Sequence, residues 1–216
     1  HGQSEKAEKY YLAAIEIRKR LVEKNAEAYE PDLAGSYNNA GALYHKQNQP
    51  EKAEKYYLAA IEIKERLAKK NADAYEQDLA GSYYNVGIFY SDHGQPEKAE
   101  KYYLAAIEIR ERLAKKNADA YEPDLAKSYN NAGNFYKKQG QPEKAEKYYL
   151  AAIEIRERLV KENAAAYEPA LATLYYNYYL LKKDKTYLDK AYEIAKRRQD
   201  DPRCGKLMKD IESMLK

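Results

Sequence analysis

The segment Glu-Lys-Ala-Glu-Lys-Tyr-Tyr-Leu-Ala-Ala-Ile-Glu-Ile at residues 5–17 recurs unchanged at residues 51–63, 97–109 and 143–155. Each copy starts 46 residues after the one before it, and no linker or low-complexity tract separates the copies. Blocks 51–96 and 97–142 align without a gap and differ at only nine positions. A repeat of this length is typical of a solenoid, in which each unit buries its apolar face by stacking on its neighbours.

Each unit is predicted to contain two helices. Within residues 97–121 apolar side chains recur at spacings of three and four, which is typical of one face of a helix. This long helix is expected to start near Pro96, where a missing N–H is harmless. Pro123 is expected to end it, and Asp124 to cap a shorter helix over residues 125–138.

The amino-acid composition limits the classes of function that the chain can have. The 216 residues include 38 Lys and Arg against 35 Asp and Glu, so a net charge of +3 argues against a nucleic-acid-binding surface spread over the whole protein and leaves a local basic stripe open. The 25 tyrosines predict many half-buried rings with hydroxyls in water. The single cysteine, Cys204, excludes an intrachain disulfide framework and is predicted to be buried. No apolar run is long enough to span a membrane, so a soluble cytoplasmic protein is expected.

The repeats resemble the tetratricopeptide repeat family. The family pattern, aromatic-x2-Leu-Gly-x2-Tyr followed by Ala-x3-Phe, is matched by Tyr83-x2-Val86-Gly87-x2-Tyr90 and Ala99-x3-Tyr103. The small residues are predicted to let the two helices of a unit approach closely. The closing proline of the family is absent, and the 46-residue period exceeds the usual length, so the chain is most similar to the long-helix branch represented by kinesin light chain.

This resemblance implies an all-α fold, a right-handed superhelical solenoid of antiparallel helix pairs with about ten helices. Residues 1–216 would form one such solenoid. Its predicted parts are a lone second helix at 1–29, full repeats at 32–75, 78–121 and 124–167, a degenerate repeat at 170–199, and a C-terminal capping helix at 202–216. The cap is predicted from an apolar stripe, which consists of Leu207, Met208, Ile211 and Leu215.

The N-terminal helix, predicted at residues 1–29, is expected to lack a partner on its inner face. That face consists of Ala7, Tyr11, Ala14 and Ile15. Either the chain is a piece of a longer array, or this face meets another chain. In the second case the uncovered helix could dock on the tail of another copy, giving head-to-tail self-association.

Each predicted repeat begins with its shorter helix, such as residues 125–138, which we call the first helix of the repeat. One face of these first helices varies while the rest of the repeat changes little. Gly81, Tyr84, Ile88 and Ser91 differ between the two central blocks and are spaced to share one helix face. The resemblance implies that first helices line a concave groove. A constant frame with one variable face predicts a surface that selects a ligand, and sequence drift on a solvated face is the alternative.

Asparagine recurs unchanged beside the variable face at Asn39, Asn85, Asn131 and Asn177. Asparagine is a mediocre helix former, so four copies in helix interiors need a reason. An amide offers donors and an acceptor together. The resemblance implies that this asparagine ladder binds the backbone of an extended peptide, and a structural bond between helices is the alternative.

The other candidate groove residues are Asn38, Tyr84, Asn130, Tyr176, Ile88, Asn134, Lys127, Lys137, Lys138 and His45. A basic stretch beside an apolar aromatic patch suits a peptide that carries an acidic residue and a bulky apolar one.

No residue pattern indicates catalysis, a metal or a cofactor. His45 and His93 lie one repeat apart, which predicts a separation of roughly 10 Å, too far to share a metal ion. The favoured function is therefore a non-enzymatic scaffold that binds an extended peptide or a partner helix in the groove. The alternative is a self-associating or engineered array with no natural ligand. Binding of single-stranded RNA is a third hypothesis. The clustering of the basic positions in one unit argues against it.

Overall fold

The structure is a computed structural model that describes the backbone of residues 2–214 and the side chains of residues 6–214. Leu215 of the predicted capping stripe lies outside these residues. Ten α-helices form within the described range. They are α1 (Gly2–Lys24), α2 (Ala26–Lys46), α3 (Pro50–Lys70), α4 (Ala72–Asp92), α5 (Pro96–Lys116), α6 (Ala118–Lys138), α7 (Pro142–Glu162), α8 (Ala164–Lys182), α9 (Lys185–Arg197) and α10 (Pro202–Met214).

The helices α2, α4, α6 and α8 each begin directly after an asparagine, whereas α3, α5 and α7 begin at a proline, as predicted for Pro96. Asn117 has extended backbone (φ −152°, ψ 95°), and its side chain accepts a hydrogen bond from the Ala120 N–H over 3.1 Å. Asparagine is among the best N-cap residues because this bond satisfies a backbone donor that the helix leaves free. The same cap recurs at Asn25, Asn71 and Asn163. The predicted break at Pro123 with a cap at Asp124 is therefore wrong, since both residues lie inside α6.

Proline is tolerated there because it removes only one N–H near the start of α6. The carbonyl that loses this donor belongs to Asp119, which is exposed, so water can replace the bond. Gln77 occupies the same position in α4, and that helix is equally continuous. The first helix of this repeat consequently begins at Ala118 rather than at Leu125, and both helices of the pair are 21 residues long.

The helices form two compact units, and the boundary between them falls after Ile109, within α5. In unit 1, helices that follow each other in the chain pack together from α1 to α4, and α2 also contacts α4. In unit 2 the same order of packing runs from α6 to α10, and α6 also contacts α8. Each unit thus has the sequential pairing of helices that the repeat predicts.

Close approach within a helix pair depends on one glycine and one tyrosine. A Cβ added to Gly41 of α2 would lie 2.7 Å from the ring of Tyr57 in α3. The same contact pairs Gly87 with Tyr103 in unit 1 and Gly133 with Tyr149 in unit 2. The prediction that small residues let the two helices approach closely is confirmed.

Several tyrosine hydroxyls are bonded to glutamates rather than open to water. In unit 1, Tyr90 donates to Glu54 over 2.7 Å and Tyr83 donates to Glu65 over 2.6 Å, and both bonds link α3 to α4. Equivalent bonds in other pairs join Tyr44 to Glu8, Tyr129 to Glu111 and Tyr175 to Glu157. The prediction of solvated hydroxyls is wrong for these residues, because each ring places its hydroxyl against a neighbouring helix.

The last repeat keeps such a bond although its sequence has drifted. Lys182 replaces the tyrosine found in the earlier repeats, and Tyr178, one turn before it, donates to Glu146 over 2.9 Å. Lys182 Nζ donates to the same carboxylate over 2.8 Å. In α10, Leu207 and Ile211 are buried, and Cys204 is buried as predicted.

Candidate functional site

The asparagine ladder lies on the first helices, where its members contact the neighbouring repeat. In unit 1, Asn85 Nδ2 of α4 donates to Asn38 Oδ1 of α2 over 3.4 Å. In unit 2, Asn177 Nδ2 of α8 donates to Asn130 Oδ1 of α6 over 3.1 Å. The same two positions of the repeat form the contact in both units, where the acceptor position is an asparagine; Tyr84 and Tyr176 occupy that position in the other two repeats.

This contact uses only part of the hydrogen-bonding capacity of the Asn85 and Asn177 amides. An asparagine side chain has two donor hydrogens and one acceptor oxygen, and the contact uses one donor of Asn85 or Asn177. Both residues are half-buried, as is Asn131, and Asn39 is exposed. Asn130 Nδ2 also donates to Asn131 Oδ1 over 3.3 Å. The structural bond between helices therefore exists, and ligand binding by the ladder stays a prediction.

The other groove candidates differ in exposure. Tyr84 is only 6% exposed, so its ring offers a ligand little surface. Lys127 and Lys138 are exposed. The half-buried candidates are Asn38, His45, Ile88, Asn130, Asn134, Lys137 and Tyr176. The Tyr149 hydroxyl donates to Asn134 Oδ1 over 2.6 Å, which leaves the amide nitrogen of Asn134 as a donor beside Lys137.

His45 and His93 lie much closer than the repeat spacing predicts. Their ring centroids are 5.3 Å apart, and His45 also contacts the Phe89 ring edge-on at 5.4 Å. His45 Nε2 lies 3.2 Å from Asp92 Oδ2. The expected separation of roughly 10 Å is wrong, because both side chains extend toward each other from the C-terminal ends of α2 and α4.

The equivalent ends of α6 and α8 differ in charge from those in unit 1. Lys137 occupies the position of His45, and Asp184 occupies that of Asp92, two repeats later. The Asp184 carboxylate accepts from the Thr186 N–H over 2.9 Å as the N-cap of α9. Burial and then the positive charge of Lys183 lower the pKa of Lys137. A negative group from a ligand would relieve this repulsion.

The N-terminal helix α1 exposes a face that differs from the predicted one. Ile15 is 2% exposed, in a helix that packs on α2, so the expectation that Ile15 lacks a partner is wrong. Tyr10 is 73% exposed, Ile17 is 57% exposed and Tyr11 is 36% exposed. Sequence reasoning missed Tyr10 and Ile17 because it assigned a single inner face to a helix that presents different faces to two neighbours. Ala7 and Ala14 are half-buried.

Two kinds of site are absent from the described part of the chain. Among the side chains of residues 6–214, no group of three or more His, Cys, Asp and Glu could hold a metal ion. No helix within residues 2–214 has both the length and the apolar character needed to cross a membrane.

The chain belongs to the tetratricopeptide repeat family. A model of this family matches residues 33–71, 79–117 and 125–163, which together cover more than half of the chain. A comparison with curated protein sequences found no match.

Two solved structures show the same fold at low sequence identity. The chain is similar to BtubC (BKLC) from P. vanneervenii, with a TM-score of 0.67 and 23% identity over 96% of this chain and 74% of that chain. It is also similar to a Podosopora anserina protein described as a kinesin light chain with nearly identical TPR-like repeats. That likeness has a TM-score of 0.60 and 16% identity, over 92% of this chain and 94% of that chain.

Proposed function

We propose that the chain is a scaffold that binds an extended segment of a partner protein along its first helices. The observation that carries the proposal is the repeated contact of Asn85 with Asn38 and of Asn177 with Asn130. It fixes the orientation of the ladder amides while the residues beside them vary. Fixed polar groups next to variable ones are what a surface needs to bind any peptide backbone and still select side chains.

The ladder amides would supply the part of the affinity that does not depend on peptide sequence. Asn85 and Asn177 each keep one N–H and the carbonyl oxygen for a ligand. An extended peptide offers the matching backbone C=O and N–H groups. Because the Asn85 and Asn177 side chains are half-buried and held by a neighbour, less conformational entropy is lost on binding than for free side chains.

The charges at these helix ends differ between the two units, so each unit would favour a different kind of ligand side chain. At the α6 and α8 ends, Lys137 and Lys183 repel each other and Asn134 offers an amide donor, which favours an acidic side chain. At the α2 and α4 ends, the Asp92 carboxylate already lies 3.2 Å from His45 Nε2, and Ile88 is half-buried nearby in sequence, which favours an apolar side chain. We therefore expect ligands that combine an acidic residue with a bulky apolar one.

The ladder is tested by selecting peptides from a display library on the wild-type chain and measuring their affinity for Asn85→Ala/Asn177→Ala. Each lost amide bond is worth about 1 kcal/mol, so the loss of one bond at each of the two sites should make the double variant bind roughly thirtyfold more weakly. Glu108→Gln, on an exposed position of α5, is the control and should bind like wild type. If the double variant loses stability but keeps its affinity, the ladder is structural and the proposal fails.

The charge preference is tested separately with Lys137→Gln on the same selected peptides. We expect this variant to lose affinity for acidic peptides, with a weaker dependence of binding on salt, and to keep affinity for peptides whose acidic residue is replaced by its amide. Lys147→Gln removes the same charge from an exposed position of α7 and should change neither quantity. Equal effects of the two variants would show that net charge alone matters.

The alternative function, a self-associating array without a ligand, is tested by light scattering over a hundredfold range of concentration. A mass that stays near 25.0 kDa would favour the peptide-binding proposal. A mass that climbs with concentration would make self-assembly the leading function.

A further inference from the structure

The α1 helix exposes a face whose equivalent in α3 is buried against a neighbouring helix. Residues 5–17 of α1 and residues 51–63 of α3 have identical sequences. In α3, Ile63 is 9% exposed, whereas its equivalent in α1, Ile17, is 57% exposed. Burial at these positions therefore depends on the neighbouring helix and not on the sequence of the helix that carries them.

The helix that covers this face of α3 is α2, and its contacts define what a partner must present. Tyr44 stacks on Tyr56 with ring centroids 5.5 Å apart and an angle of 10° between the planes. Tyr37 lies against the other side of this contact, 5.9 Å from Tyr56. Gly41, between them, admits the ring of Tyr57, since a Cβ there would lie 2.7 Å from that ring.

We propose that the α1 face formed by Tyr10, Tyr11, Ala14 and Ile17 is a docking site for an amphipathic helix that presents Tyr-x3-Gly-x2-Tyr. This is the pattern Tyr37-x3-Gly41-x2-Tyr44 with which α2 covers α3. The two tyrosines would sandwich Tyr10, and the glycine would admit Tyr11. The site is separate from the ladder and does not depend on the proposed function.

The tail of a second copy does not have this chemistry. The outward side of α10 carries the exposed residues Arg203, Lys206 and Lys209, while Leu207 and Ile211 are buried and Met214, at the end of the helix, is 45% exposed. A polar outer side is typical of the terminal cap of a helical array. The apolar face of α1 therefore fits a helix of the α2 type better than it fits α10.

The first test titrates the full-length chain with a fluorescent synthetic peptide of residues 26–46. We expect saturable binding that weakens at least tenfold in the Tyr10→Ala/Ile17→Ala variant of the chain. A peptide carrying Gly41→Leu should bind at least tenfold more weakly than the parent peptide, because its side chain would clash with Tyr11 as it would with Tyr57. Leu150→Ala, at an exposed apolar position of α7, is the matched control and should leave binding unchanged.

The second test does not depend on the helicity of a free peptide. A second copy of residues 26–49 is joined directly ahead of Ser4, which aligns with Pro50 one repeat later. We expect amide hydrogen exchange in α1 to slow at least tenfold in this extended chain, but not when the added copy carries the Gly41→Leu change. Equal exchange in both extended chains, or no binding of the parent peptide together with no protection of α1, overturns the proposal.

Light scattering separates a helix partner from a second copy. If the mass of the full-length chain rises with concentration and returns to that of a monomer in Tyr10→Ala/Ile17→Ala, the face binds another copy of the chain. That result would also overturn the proposal, whereas a monomer that binds the peptide supports it. Peptide binding in this assay uses α1 only, so its failure would leave the ladder experiment unaffected.

Discussion

At Gly87, α4 approaches α5 so closely that an added Cβ would lie 2.8 Å from the ring of Tyr103. Gly81, in the same helix, would meet nothing within 4 Å. We expect Gly87→Ala to lower the free energy of unfolding by about 1–3 kcal/mol through the clash. Gly81→Ala should raise it by about 0.5–1 kcal/mol, because alanine is the better helix former. Urea unfolding of both variants checks this, and effects of the same sign would contradict it.

The hydrogen bonding of Ser82 in α4 depends on the residue that faces it from α3. Its hydroxyl is buried and has no hydrogen-bond partner. Lys64 lies at the position that faces it and donates to the Asp78 carbonyl over 3.1 Å instead. Burial lowers the pKa of Lys64. In two other repeats an arginine at this position donates to the equivalent serine, as Arg18 does to Ser36 and Arg110 to Ser128.

We therefore expect Lys64→Arg to stabilise the chain by about 1–2 kcal/mol, because a guanidinium can donate to the Ser82 hydroxyl and stays charged when buried. Thermal unfolding measures the effect. Lys69→Arg, at an exposed position of the same helix, should change the midpoint little. A gain that is equal in both variants would show that the serine contact is not its source.

At the scale of the helix, substitutions at Asn117 and Pro123 test which of the two residues determines where α6 begins. Asn117→Ala removes the bond to the Ala120 N–H and should cost about 0.5–2 kcal/mol in the free energy of unfolding. Pro123→Ala restores one N–H inside α6 and should be neutral or stabilising, since Gln77 fits at the same position of α4. Denaturant unfolding distinguishes them. A larger loss at Pro123 than at Asn117 would restore the predicted break at the proline.

The elements could be predicted from the sequence in number and order, but not at their ends. The existence of two helices in each repeat follows from the spacing of apolar residues, which is a property of the local sequence. The break at Asn117 lies between good helix formers on both sides, so propensity alone does not reveal it. One side-chain hydrogen bond decides it, and the recurrence of asparagine before Ala-x-Ala every 46 residues is the signal that could have shown it.

At the scale of the whole molecule, the buried tyrosines predict a loss of stability in alkali. Burial raises the pKa of Tyr57 from 10.0 to about 12, and burial is also the first cause of the raised pKa values of Tyr90 and Tyr175. A raised pKa in the folded state means that the stabilisation is complete below pH 10 and is lost as the pH rises from 10 toward 12.

The midpoint of thermal unfolding should accordingly fall as the pH rises above 10, and the ultraviolet absorbance of tyrosinate should appear together with unfolding. Tyr57→Phe removes one of the linked protons, so this variant should lose less stability over the same range of pH. Tyrosines that titrate near their ordinary pKa in a chain that remains folded would contradict the prediction.

The candidate site was predictable in its positions and not in its contacts. The period of 46 residues places the ladder asparagines and the variable face on the first helices. The bond from Asn85 to Asn38 joins residues from different repeats, and no local pattern encodes it. The same holds for Asp184, whose carboxylate caps α9 although the equivalent Asp92 lies beside His45.

The sequence by itself determined the helical repeat, its family and the glycine that faces a tyrosine at Gly41, Gly87 and Gly133, because these depend on residue spacing that recurs along the chain. Only the tertiary structure decided which identical residues are covered and which are open. Residues 5–17 and 51–63 are the same in sequence, yet Ile17 is exposed and Ile63 is buried. The physical reason is that burial and hydrogen bonding belong to the pair of surfaces in contact, and a sequence repeat specifies only one of the two.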